Sequence, residues 1–133
     1  MRPPGPVSRF RLNLVLGIIL ATGCSADPNA PFLNGQWGGT GLGVTSDQSG
    51  SEIRLACGMA RLIGPLQFDD RGQINVRTTV DAFYFQYPAR FQASLVRGYL
   101  HVTLTEFYES GDTEVERYVL TPGAEPDFSG DAS

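Results

Sequence analysis

The sequence contains no lysine, one histidine and two cysteines, and each shortage excludes a class of function. All ten basic residues are Arg, and 14 Asp and Glu give a formal net charge of −4. From Cys24 onward the chain carries 14 acids against seven Arg, a net charge of −7. Such acidity disfavours nucleic acid as a partner, because phosphate backbones bind positive patches. One His and two Cys are too few for a His/Cys metal cage, and no cofactor is expected.

The N-terminal apolar run is too short to span a membrane. Residues 12–21 are almost wholly apolar, whereas a helix needs about 20 such residues to cross about 30 Å of hydrocarbon. A basic, Pro-rich start over residues 1–11 precedes the run, and small residues follow it. This order is typical of a secretory signal peptide.

The run ends in Leu20-Ala21-Thr22-Gly23-Cys24, which resembles the lipobox of bacterial lipoproteins, with Ala21 where Leu is usual. The resemblance implies cleavage before Cys24, a diacylglycerol on its thiol and an anchor in the bacterial cell envelope. Ser25 after the cysteine implies the outer membrane. The alternatives are cleavage near Ala26, which yields a soluble exported protein, or a disulfide between Cys24 and Cys57 if neither is lipidated or removed.

Four segments are expected along the chain. They are a signal peptide over residues 1–23, a lipidated tether over residues 24–31, a β domain over residues 32–121 and a flexible acidic tail over residues 122–133. The tether and the tail consist mainly of small, polar or acidic residues and Pro, which form packed structure poorly.

Hydrophobic residues in the β domain alternate with period two, which predicts strands rather than helices. The pattern favours an all-β fold, a small antiparallel meander barrel of seven or eight short strands, with a two-sheet sandwich as the alternative. Residues 59–63 and 83–87 are two of the predicted strands. The predicted pairs are Leu42–Leu55 and Val44–Ile53 in a first hairpin, Leu66–Val76 and Phe68–Ile74 in a second, and Phe91–Leu104, Ala93–Val102 and Leu95–Leu100 in a third.

The last hairpin has two possible registers. A turn at Gly111-Asp112 pairs Glu106 with Arg117 and Leu104 with Val119, whereas a turn at Ser110-Gly111 sets Leu104 against Arg117. The first register is preferred, because it pairs one apolar residue with another and gives Glu106 a cationic partner.

The run Gly35-Gln36-Trp37 resembles the first-strand opening of lipocalin and avidin-type barrels. The resemblance implies that Trp37 closes the barrel bottom, with Arg117 from a late strand against its ring. A bulge at Gly38-Gly39 is expected, because Trp37 is out of phase with Leu42 and Val44. A Trp37 that contacts a ligand is the alternative.

Four short motifs occur in an order that resembles a group of uncharacterised small exported bacterial proteins. The resemblance implies a shared β domain and supplies no catalytic residue. The motifs are Trp37-Gly38-Gly39, Leu55-Ala56-Cys57-Gly58, Gly64-Pro65-Leu66 and Asp69-Asp70-Arg71-Gly72.

No residue set argues for catalysis. Cys57 shares parity with Ile53 and Leu55, which predicts a core position, while His101 is expected on the solvent face of its hairpin. The acids around the last hairpin are expected to be solvated. Phe83, Phe85 and Tyr87 fall on one strand face, which predicts core rings or a wall for a ligand.

Two functions follow. The first is a non-enzymatic, envelope-anchored lipoprotein that acts by contact with an unknown envelope protein. The second is a lipocalin-like binder of small lipophilic ligands, with a barrel mouth lined by Trp37, Phe83, Phe85 and Tyr87. A separate option beside the two is inhibition of a cationic host or rival enzyme such as a lysozyme, since the mature surface is acidic.

Overall fold

The computed structural model describes residues 30–130, which form a closed antiparallel β-barrel in which each strand pairs with the next and the last with the first. The expected antiparallel meander barrel of seven or eight strands is therefore confirmed, with eight strands. The predicted signal peptide, Cys24, nearly all of the predicted tether and residues 131–133 lie outside the described residues. The strands are β1 (Gly35–Gly39), β2 (Leu42–Asp47), β3 (Gly50–Leu55), β4 (Gly58–Ile63), β5 (Gln73–Ala82), β6 (Gln86–Val96), β7 (Tyr99–Phe107) and β8 (Thr113–Pro122).

Two of the predicted hairpins are confirmed residue for residue. Val44 lies opposite Ile53 in β2–β3, and Phe91 lies opposite Leu104 in β6–β7. The β6–β7 connection is the two-residue turn Arg97-Gly98, in which both residues have positive φ, 54° and 87°. A turn of this backbone geometry matches the twist of the strands that it joins, so it sets their register.

Trp37 faces the core without the expected bulge. It lies opposite Val44 in an uninterrupted β1–β2 ladder and packs against the core cluster. The bulge prediction was wrong because the alternation of inward and outward residues restarts after the turn. Gly39 pairs with Leu42, so odd-numbered residues of β1 lie on the same face as even-numbered residues of β2, and no bulge is needed. The expected contact with Arg117 is also absent from the described ladder, since Arg117 lies opposite Thr103 on the outer face.

The second predicted hairpin was wrong, because residues 64–72 close one end of the barrel instead. The amide of Leu33 donates to the carbonyl of Leu66 (2.8 Å), and that of Phe68 donates to the carbonyl of Pro31 (2.9 Å). The Leu66 amide in turn donates to the Ser46 hydroxyl (3.1 Å). Leu33 and Leu66 are 2% and 1% exposed, so they plug this end, which we call the closed end.

The β7–β8 register differs from both predicted registers. Leu104 lies opposite Glu116 and Glu106 opposite Glu114, because the connection is a five-residue loop over residues 108–112. In this loop the Tyr108 amide donates to the Asp112 carbonyl, and the Gly111 amide donates to the Tyr108 carbonyl. Glu106 therefore faces inward.

The segment after β8, part of the predicted acidic tail, is bonded to the outside of the barrel. The Gly41 amide donates to the Asp127 carbonyl (2.9 Å), and the Asp127 amide donates to the Gly39 carbonyl (3.0 Å). We call residues 124–127 the strap. A Cβ built on Gly38 would lie 2.5 Å from the Ala124 carbonyl oxygen, so the absence of a side chain there lets the strap approach.

Candidate functional site

The open end of the barrel lies opposite the closed end. It is formed by the connections β1–β2, β3–β4, β5–β6 and β7–β8. In an antiparallel meander, the turns at residues 40–41 and 56–57 and the loops at residues 83–85 and 108–112 all meet at one end. A cavity of about 230 Å³ opens there. Its lining residues are Gly41, Leu55, Ala56, Cys57, Gly58, Tyr87 and Tyr118.

A buried carboxylate lies just inside the open end. Glu106 is 8% exposed. Its Oε2 accepts a hydrogen bond from the Tyr87 hydroxyl (2.6 Å), and its Oε1 accepts one from the Tyr108 hydroxyl (2.8 Å). The Tyr108 hydroxyl also lies 3.2 Å from the Glu114 carboxylate. Among residues 30–130 no Arg forms an ion pair with Glu106, so tyrosine hydroxyls replace a cation as its partners.

The two tyrosines are held protonated by this environment. Burial raises the pKa of the Tyr87 hydroxyl far above its ordinary value, and the hydrogen bond to Glu106 raises it further. The same two causes, in the same order, raise the pKa of Tyr108. Both hydroxyls therefore stay protonated and donate hydrogen bonds to the Glu106 carboxylate at neutral pH.

An apolar groove of about 350 Å³ runs along the rim of the open end. The rings of Phe85 and Tyr87 are 5.6 Å apart there, and those of Tyr87 and Tyr108 are 5.3 Å apart. Tyr87 thus belongs to both the cavity and the groove. The groove is lined by Phe85, Gln86, Tyr87, Pro88, Phe107, Tyr108 and Glu109.

Three aromatic side chains in succession project from the rim. Phe83 is 85% exposed, Tyr84 is 96% exposed and Phe85 is 56% exposed. These residues precede β6 in a bend rather than continuing a strand, so the predicted strand over residues 83–87 exists only from Gln86. The prediction that Phe83 and Phe85 fill the core was wrong.

The structure brings together some of the predicted site residues and separates others. Phe85 and Tyr87 share the groove, and Phe83 lies beside it in the same loop. Trp37 is not a lining residue of the groove. Its indole N–H donates to the carbonyl of Asn34 (3.1 Å), and its ring packs against the core.

Cys57 and His101 lie in different places. Cys57 is an exposed free thiol in the β3–β4 turn at the open end, so the predicted core position was wrong. Strand β3 ends at Leu55, so the alternation of inward and outward side chains does not extend to Cys57 in the turn. His101 lines a separate cavity on the outer face together with Gln92 and Thr103.

The sequence interpretation missed the roles of Glu106 and Tyr108. Glu106 was assigned a cationic partner, Arg117, because opposite charges across a ladder attract. A signal existed in the alternation itself: Leu100, Val102, Leu104 and Glu106 share one parity, which places Glu106 on the buried face.

No protein family, curated protein or solved structure matches this chain. Within residues 30–130, no group of three or more His, Cys, Asp and Glu side chains comes close enough to hold a metal ion. The same residues contain no helix long and apolar enough to cross a membrane. Fold and site together define a small closed β-barrel, plugged at one end, with an aromatic and acidic opposite end.

Proposed function

We propose that this protein is a non-enzymatic lipoprotein of the bacterial envelope, anchored through Cys24 in the outer membrane, that binds a protein partner through the open end of its barrel. The observation that carries the proposal is the exposure of Phe83, Tyr84 and Phe85. Aromatic residues are enriched in protein interfaces, and three adjacent ones held at a barrel rim form a contiguous apolar surface.

Charge at the open end indicates the chemistry of that partner. The loops over residues 83–85 and 108–112 contain no basic residue. Glu109 and Asp112 of the second loop are exposed, and so is Glu114, two residues after it. Opposite charge steers association and suppresses wrong partners. The partner surface is therefore basic around an apolar centre, which an exported cationic enzyme such as a lysozyme would provide.

A site-specific crosslink tests the contact. A photoreactive amino acid replaces Tyr84 in the full chain, and irradiation of intact cells is followed by analysis of the adducts. Replacement of Tyr99, 47% exposed in β7 beside the Arg97-Gly98 turn at the opposite end, is the matched control. We expect one dominant adduct from position 84, lost in the double variant Phe83→Ser/Phe85→Ser and weakened by salt. Identical adducts from both positions would refute the contact.

Labelling with a palmitate analogue tests the anchor. We expect labelled wild-type protein, no label in Cys24→Ala and full label in Cys57→Ala. The Cys57 variant is an informative control because its thiol is free and exposed. Persistent label in Cys24→Ala would exclude this anchor.

The groove favours a second candidate function, the binding of a small lipophilic molecule. A volume of about 350 Å³ lies at the lower end of the range for ligand pockets, and the lining includes Phe85, Tyr87 and Phe107. A fluorescent fatty acid provides the assay. Phe85→Ala should weaken its binding about tenfold, whereas Phe83→Ala, outside the groove, should not. Equal effects would contradict a groove site.

A further inference from the structure

The outer face of strands β5 to β8 is basic, although the protein as a whole is acidic. Its outward positions run from Gln73 to Asp81, Gln86 to Val96, Tyr99 to Phe107 and Thr113 to Thr121, and Asp81, at the end of β5, is the one acidic residue among them. Three Arg and the single His of the sequence are among them. We call the surface around Arg77, Arg90 and Arg117 the arginine face. The acids of β7 and β8 have the opposite parity and lie on the inner face.

Two of these arginines lie directly opposite each other. Arg77 of β5 pairs with Arg90 of β6 in the ladder. Like charges in this position repel and destabilise a sheet. Within residues 30–130, neither Arg77 nor Arg90 forms an ion pair. The Arg side chains that do are Arg54 and Arg61, and both pair with Glu52. The repulsion is therefore not offset by a neighbouring carboxylate.

The side chains are nevertheless held in place by their surroundings. The Arg77 guanidinium reaches across β6 to lie over the ring of Phe107, 5.9 Å from its centroid. The Nε of Arg90 is buried and has no hydrogen-bond partner among the described residues. Thr105 of β7 lies opposite Arg90 on the side of β6 that is away from Arg77. Burial of an unpartnered polar nitrogen is unfavourable, so this cluster lacks a hydrogen-bond acceptor.

We propose that the arginine face binds a phosphate or sulfate group between Arg77 and Arg90, with the Thr105 hydroxyl as an additional donor. A dianion matches two guanidinium groups in charge, and its several oxygens suit the fork geometry of Arg. The Phe107 ring holds the Arg77 guanidinium by a cation–π contact. The group comes from free phosphate or from the headgroup of an anionic lipid. The site shares no residue with the exposed aromatic loop and does not depend on the proposed function.

Titration with inorganic phosphate tests the site on the full chain, with sodium chloride at equal ionic strength as the reference. The readout is the Nε–Hε NMR signals of the arginines. We expect saturable shifts of the Arg77 and Arg90 signals with phosphate and none with chloride. Phosphate should also raise the unfolding temperature, because it relieves the repulsion between the two arginines.

Variants separate a specific site from general charge. Arg77→Gln and Arg90→Gln should each weaken phosphate binding about tenfold or more. Arg97→Gln removes the same charge from the β6–β7 turn and should bind as the wild type does. If Arg90→Gln fails to fold, the exposed Arg77→Gln remains as the test. Shifts that do not saturate, or that are equal in Arg77→Gln and Arg97→Gln, would overturn the proposal.

Vesicles distinguish the two sources of phosphate. The Cys24→Ala chain, which cannot be anchored through that thiol, is mixed with vesicles of phosphatidylcholine alone or with phosphatidylglycerol added. Binding only to the anionic vesicles, lost in Arg77→Gln, assigns the site to lipid headgroups. Binding to inorganic phosphate without binding to vesicles assigns it to free phosphate or a soluble phosphate ester. Binding to neither would overturn it.

Discussion

At the scale of single residues, the open end is built around one carboxylate, which forms no ion pair with any residue from 30 to 130. Glu106 is nearly buried, and its two oxygens accept hydrogen bonds from Tyr87 and Tyr108. A buried charge is costly unless polar groups replace the lost water. The two hydroxyls do so, and they also fix the rings that line the groove. The same hydrogen bonds therefore serve stability and the shape of the candidate site.

Removal of one donor should show this cost. Tyr87→Phe keeps the ring and deletes the hydroxyl, so the Glu106 carboxylate loses its closer partner, at 2.6 Å. We expect a loss of about 1–3 kcal/mol in the free energy of unfolding, measured by urea denaturation. Tyr99→Phe, at an exposed tyrosine, is the control and should change stability little. Similar losses for both variants would contradict a structural role for the hydrogen bond.

A second residue-scale prediction concerns pH. Asp69 accepts hydrogen bonds from the amides of Gln73 and Arg71, both 2.9 Å, and these bonds lower the pKa of its carboxyl group. A carboxyl group whose pKa is lower in the folded than in the unfolded state stabilises the fold at pH values above its unfolded pKa, which is near 4. This stabilisation is lost as the pH falls through the pKa of the folded state.

Asp69→Asn should therefore be less stable than the wild type at neutral pH. The difference between the two proteins should shrink as the pH falls below about 4. Thermal unfolding across this range measures it, and Asp70→Asn, which removes the same charge at the next residue, is the neighbouring control. A difference that is independent of pH would disprove the account.

At the scale of elements, the strap depends on glycines in the strands beneath it. Gly38 and Gly43 lie opposite each other in the β1–β2 ladder. A Cβ on Gly43 would lie 2.7 Å from Pro126, and one on Gly38 would lie 2.5 Å from the Ala124 carbonyl. The pair forms a flat surface that lets the backbone of the strap pass closely over the sheet.

Gly38→Ala should displace the strap. We expect a loss of about 1–3 kcal/mol from overpacking, together with faster hydrogen exchange at the Gly41 and Asp127 amides, which bond across the contact. Gly130→Ala is the control, because a Cβ there meets nothing within 4 Å. Unchanged exchange at both amides in Gly38→Ala would show that the strap does not require the glycine.

At the scale of the whole molecule, the barrel consists of two ribbons joined by short seams. Strands β5 and β6 pair over nine positions, whereas β4 and β5 pair only at Gly58–Ala82 and Met59–Asp81. The ladder between β1 and β8 is equally short, at Trp37–Pro122 and Gly38–Thr121. Closure of the barrel therefore rests on few backbone hydrogen bonds and on the shared core.

Native-state hydrogen exchange should reveal these seams. We expect the amides of Met59 and Asp81, which lie opposite each other across the β4–β5 seam, to exchange roughly tenfold or more faster than those of Phe91 and Val102, because local opening begins where fewest bonds must break. Uniform protection across both groups would mean that the barrel opens only as a unit.

The β6–β7 hairpin shows what local sequence predicts well. The turn Arg97-Gly98 fixes which residues face each other, and alternation then assigns both faces without any distant contact. The second hairpin shows the limit. The turn before Gln73 is real, since the Asp69 amide bonds to the Gln73 carbonyl, but Leu66 is held by Leu33 and Ser46 instead.

The sequence by itself determined the all-β class, the positions of most strands, two hairpin registers and the acidity of the chain, because turn geometry and side-chain alternation act over a few neighbouring residues. Only the tertiary structure decided which end is plugged, that Phe83 and Phe85 are exposed, and that Glu106 meets two tyrosines and Arg77 meets Arg90. The plug depends on Leu33 and Leu66, which are far apart in the chain. The other features depend on the lengths and conformations of the loops at residues 83–85 and 108–112, for which alternation gives no local pattern.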